Sequence, residues 1–153
     1  MAPLDKILFA WKKNNSLTLF LHKNIEDDWQ KEKLHKKGRT VKQQFLHMVQ
    51  MRLMWSTKIN NKIGVETKLN TSNKKTIVEQ LSDSHKRIQE TFIALHNQNE
   101  KGNFTFDTYT LFTRLIAHEA HHRSQIIAII KVNDLPINNS VNYGLWTWGH
   151  NFN

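Results

Sequence analysis

Residues His118–Ile126 read HEAHHRSQI, and how this stretch folds decides what kind of protein the chain makes. Three histidines and a glutamate fall within five residues, just ahead of a run of isoleucines. Each residue of a helix advances about 100° around the axis, so His122 lies about 40° from His118. Leu111, Leu115, Ile126 and Ile129 fall on the same side, between about 20° and 80° on that count. Read as a helix, the stretch therefore carries two imidazoles one turn apart on a core-facing stripe. His121 falls about 60° to the other side and reads as a flank residue. Glu119, about 100° from His118, is partly off the stripe and is expected to meet solvent or a partner.

Outward from this stretch, the helix is expected to run from about Phe106 to Asn133 and to stop before Pro136, which cannot continue it. A first helix from about Pro3 to His22 follows from Leu4, Ile7, Leu8, Trp11, Leu17, Phe20 and Leu21, with Pro3 at the tolerant first turn. The polar KKNNS at 12–16 reads as that helix's wet face. Gly38 marks a break and Thr40 an N-cap for a second helix, whose apolar face is Val41, Phe45, Met48, Met51 and Trp55. Thr71, Ser72 or Asn73 can cap a third helix from about Lys74 to Asn97, burying Ile77, Leu81, Ile88, Phe92 and Leu95. The aromatic tail VNYGLWTWGHNF is expected to pack on the bundle. Only 5 glycines and 2 prolines occur in 153 residues, which suits long helices with modest connections. The expected fold class is all-α, a four-helix bundle forming one domain over residues 1–153.

The chain has no cysteine, which excludes disulfides, thiolate metal sites and a protein-borne sulfur nucleophile. Lys12 and Lys13 interrupt the apolar stretch near the start, so neither a secretion signal nor a membrane span is expected, and a cytoplasmic location is. The formal net charge of +9 attracts polyanions. The lysines are dispersed, as in QKEKLHKKGR, without interleaved stacking aromatics, so a solvated basic surface is expected ahead of a nucleic-acid groove.

A third histidine gives the 118/122 pair its meaning. His47, the only histidine of the second helix, shares a face with Met51, Met54 and Trp55, and facing helices of a bundle build metal sites in this way. Three neutral nitrogens with an open fourth position suit zinc, nickel or another first-row divalent ion. HEAHH also satisfies the H-E-x-x-H pattern of zinc peptidases, with Glu119 as would-be base. The extended pattern needs Gly at 125 and His at 128, where Gln125 and Ala128 stand, and no glutamate follows Glu119. A peptidase is therefore not expected. His22, His35, His85, His96 and His150 read as surface or packing residues, with His22 and His150 the first to check for a supporting role.

With His47, His118 and His122 joined, the chain resembles the DinB/YfiT-like superfamily of four-helix proteins. The carriers are GRTVKQQFLHMVQMRLMW, HEAHHRSQI and the closing YGLWTWG. The family pattern pairs a histidine, followed by a tryptophan some eight residues later, with a distant H-x-x-x-H-R-x-Q; here these are His47 with Trp55, then His118, His122, Arg123 and Gln125. Ser124 departs from the glycine frequent in the family. The resemblance implies a divalent-metal site at the three histidines and a homodimer packed through helix faces. It also implies a reaction in which the metal activates a low-molecular-weight thiol such as bacillithiol or mycothiol for transfer to an electrophile. Hydrolysis by an activated water is an alternative, as is a non-enzymatic metal- or ligand-binding protein of a damage-inducible stress response. Glu119, Arg123, Gln125 and Trp55 are the candidates for orienting a ligand or contacting substrate.

Overall fold

The structure is a computed structural model that describes residues 2–64, 76–102 and 106–147. It is all-α: α1 (Pro3–Lys23), a 3-10 turn (Asp27–Lys31), α2 (Val41–Lys62), α3 (Ile77–Glu100), α4 (Thr108–Val132) and α5 (Asn139–Trp146). Among the described residues no helix is long and apolar enough to cross a membrane.

The helix starts follow local hydrogen-bonding chemistry. Thr40 caps α2 as expected: its Oγ1 accepts from the Gln43 N–H while its own N–H donates to Gln43 Oε1. This reciprocal arrangement satisfies two donors that a helix start leaves unpaired. Thr76 and Glu79 repeat it at the start of α3. The expected caps Thr71, Ser72 and Asn73, and Lys74, lie outside the described residues; the cap found is Thr76. Asp107 caps α4 by accepting from the Thr110 N–H. At the other end Asp134 adopts a left-handed φ of 52° just past the last turn, ahead of Pro136.

α1 and α2 both pack against α3 and α4, and so stand across the bundle from each other. The apolar core is split in two. One cluster joins Ile7, Trp11, Ile59, Ile88, Phe92, Leu95, Leu111 and Leu115. The other joins Leu21, Phe45, Met48, Val49, Leu81, Ile126 and Ile129, with Trp29 and Val141 from the connecting segments. α1 and α4 run from the first cluster to the second, while α2 and α3 run from the second to the first. The order is thus up-down-down-up. The link from α1 to α2 closes the second end, with Trp29 buried and Lys33 bridged to Thr40. This turn was not foreseen, because a single tryptophan among charges carries no periodicity.

Between the clusters lies a layer of buried polar residues: Asn14, Asn15, Thr18, Arg52, Ser84, Glu119 and Arg123. This corrects the reading of KKNNS as a wet face, since Asn14 and Asn15 point inward and only their neighbours Lys12 and Ser16 are exposed. Expected apolar positions on α2 also shift. Met51 and Trp55 are only half-buried, and Arg52, Ser56 and Asn60 take the interior stripe. α5 lies on α1, with Val141 and Gly144 buried against it. The aromatic tail thus packs on the bundle up to Thr147, though Trp146 is 81% exposed; Trp148 and His150 lie outside the described residues.

Candidate metal centre

α2 and α4 are neighbours, and their seam brings three imidazoles together at the level of the polar layer. His118 and His122 stand one turn apart on α4, and His47 faces them from the second turn of α2. His118 Nε2 is 3.0 Å from His122 Nε2 and 3.4 Å from His47 Nε2. One ligand nitrogen from each ring lies within 4.8 Å of the others. Three nitrogens at about 2.0–2.1 Å from one tetrahedral ion stand about 3.3 Å apart. The spacing therefore fits a divalent cation, and three histidines close together that could hold a metal ion are a property of this chain.

The protonation pattern fits as well. His122 Nδ1–H donates to Gln44 Oε1 at 2.6 Å, which leaves His122 Nε2 without a proton and aimed at the other two rings. His118 Nδ1 is buried with no hydrogen-bond partner in the protein. Burial pushes the His122 pKa down to about 4, with the His118 and His47 rings, His121 and Arg39 adding to the effect. Burial also lowers His47, assisted by Arg39 and His118. It lowers His118 against the opposing pull of Glu119. All three rings are thus neutral near pH 7, the form that ligates metals. His122 is buried and the other two half-buried, so the cluster opens on one side. Gln44 was not singled out from the sequence. It sits three residues, about one turn, before His47 on the same helix, and an amide on an otherwise apolar face was the available signal.

The stretch HEAHHR carries a second pair one residue out of step. Glu119 and Arg123 are also i,i+4, but they turn into the polar layer, where Asn14 and Thr18 of α1 and Arg52 of α2 meet them. Glu119 is 1% exposed, which corrects its expected place in solvent. Arg52 clamps it through Nε at 2.6 Å and Nη2 at 2.8 Å, and Asn14 donates to Oε2 at 2.7 Å. Arg52 also donates from Nη1 to Asn15 Oδ1 and to the Leu81 carbonyl, and lies over the Trp11 ring. Arg123 donates to Thr18 Oγ1 and Asn14 Oδ1, and its Nη1 lies 3.7 Å from Glu119 Oε2. Glu119 is in no position to act as a peptidase base, because both of its oxygens are engaged in the interior.

The remaining candidates fall apart from the cluster. Among the described residues no hydrogen bond joins Gln125 to the imidazoles. Trp55 is two turns along α2 from His47, stacked on Phe106 with Arg114 and Lys58 over its ring. Met54, which shares the His47 face, is 45% exposed, so that face follows the seam and not the core. His22 packs edge-on to Phe45, and His85 stacks on Trp11. His121 is exposed on the flank, as the helical count placed it.

The fold and the cluster together define a helical-bundle protein with a histidine triad between two helices. The chain matches the DinB family over residues 1–132, a stretch that contains α1–α4 and all three histidines, and it belongs to that family. No curated protein and no solved structure matches it.

Proposed function

We propose that the protein is a metal-dependent enzyme of the thiol-transferase type, with His47, His118 and His122 holding one divalent ion, zinc or nickel. The observation that carries this reading is the convergence of one ring nitrogen from each of three histidines, with Gln44 fixing the tautomer of His122. A divalent ion at such a place lowers the pKa of a thiol or water beside it. Three protein nitrogens leave a further coordination position for that molecule. With no cysteine in the chain, the sulfur arrives on a low-molecular-weight thiol.

The protein's own residues then have limited, specific work. Gln44 keeps His122 Nε2 free of its proton and holds the ring's angle. The buried Arg52–Glu119 clamp anchors α4 to α2 beside His118, so that the imidazoles stay in register. Arg39 is exposed, and its charge reaches all three rings, which favours an anionic molecule at the open side. In the overall reaction the thiol loses its proton, sulfur bonds to an electrophilic carbon, and the leaving group departs with the bonding pair. A homodimer packed through helix faces belongs to the same proposal.

Metal analysis of the protein purified without added metal, followed by a screen of thiols against electrophiles, tests the reading. One ion per chain is expected, lost in His47→Ala and in His122→Ala, together with metal-dependent turnover. Full occupancy in either variant overturns the site. Metal binding without turnover on any pair leaves a metal-binding module. Binding to nucleic acid that falls steeply with salt would instead assign the +9 charge to a polyanion partner.

A further inference from the structure

We propose that a groove between α1, α4 and α5, on the face of α4 turned away from the histidines, binds an amphipathic organic anion: a carboxylate on an apolar body. The groove encloses about 730 Å³, within the range of about 300–1,000 Å³ typical of small-molecule sites. Its walls include Leu17, Ile116, Ile127 and Leu145, and Trp146 stands at its rim. Ile116, Ala120, Ile127 and Lys131 lie on the side of α4 opposite His118 and His122, so the two sites share a helix without sharing a face.

Arg123 supplies the recognition. Its side chain is 9% exposed and the residue lines the groove. Hydrogen bonds to Thr18 and Asn14 fix the two terminal nitrogens, and the guanidinium has five N–H groups to offer. The buried layer behind it holds two guanidiniums, Arg52 and Arg123, against Glu119, the single acidic residue among the buried ones described. Glu119 already receives both Nε and Nη2 of Arg52 and stands 3.7 Å from Arg123. One positive charge is left in excess, at low exposure, and its open side is the groove. Among the described residues no acidic side chain lines that groove, and Lys131 adds a second cation at its edge. A buried charge of this kind gains most from an opposite charge that arrives with its own apolar cover. The inference does not depend on the metal centre.

Calorimetric titration of the full-length protein with octanoate tests it, with 1-octanol and octylamine as neutral and cationic matches. Saturable single-site binding of octanoate is expected, with both matches weaker by about tenfold or more, as loss of a charge-assisted contact implies. Octanoate is also expected to change tryptophan fluorescence in the native protein and not in Trp146→Phe. Ala120→Trp fills the groove from an exposed position outside the Arg123 hydrogen bonds, and should abolish octanoate binding while leaving metal content unchanged. Equal binding of 1-octanol, undiminished binding in Ala120→Trp, or no octanoate binding alongside a dimer that Ala120→Trp dissociates, overturns the proposal; the last result would give the groove to a second copy of the chain.

Discussion

Arg52→Met removes the cation that holds the polar layer together, and its cost follows from what is left behind. The methionine fills most of the same space beside Trp11, so a cavity contributes little. Five hydrogen bonds disappear: two to Glu119 and one each to Asn15, the Leu81 carbonyl and Ser84. Glu119, 1% exposed, keeps Asn14, a long contact to Thr18 at 3.4 Å and Arg123 at 3.7 Å. Removing one partner of a buried ion pair costs about 3–5 kcal/mol, because the other charge stays desolvated. That is a large share of the 5–15 kcal/mol typical of a domain's total stability (about that range). For a domain of this size the melting temperature should fall by about 6–20 °C. The assay is urea and thermal unfolding followed by circular dichroism, with chelator present so that metal binding does not contribute. Arg52→Met combined with Glu119→Gln should lose less than the two single losses added, by about 1–3 kcal/mol. A loss below about 1 kcal/mol for Arg52→Met would refute the reasoning, since the value is that of an exposed pair.

Gln44→Leu deprives His122 Nδ1 of its acceptor, and metal affinity measured by chelator competition should fall by about 10- to 100-fold with the fold intact; unchanged affinity would show that Gln44 does not set the tautomer. The apo protein should lose stability as pH falls from about 6.5 toward 4. The folded-state pKa values of His85 and His122 are lowered to about 4, so in that window the unfolded chain binds more protons than the folded one. Flat stability across the window, measured by urea unfolding at successive pH values, would contradict their burial in the neutral form. Gly144→Ala would place a Cβ at 2.8 Å from the Phe20 ring, so α5 or the ring must move. A loss of about 1–3 kcal/mol is expected, with a changed Trp146 emission as the sign that α5 has shifted; an unperturbed variant would mean that Phe20 yields freely.

The histidine pair on α4 was legible in the sequence because its determinants are local. The i,i+4 spacing of His118 and His122 on a stripe with Leu111, Leu115, Ile126 and Ile129 places them on one face whatever the rest of the chain does. The four helices were legible for the same reason, as was the Thr40 cap, which needs only Gln43 three residues on. What pairs with what was not. Asn14, Asn15, Arg52 and Glu119 read locally as polar residues that belong outside, since desolvating any one of them alone is unfavourable. They are buried because each supplies the others' hydrogen bonds across three helices, a cancellation that appears only when separations of 37 to 105 residues close in space. Periodicity thus determined the helices and the face each histidine occupies. The packing of α2 against α4 decided that the three rings meet, that Glu119 is locked away from them, and that Arg123 faces a separate groove.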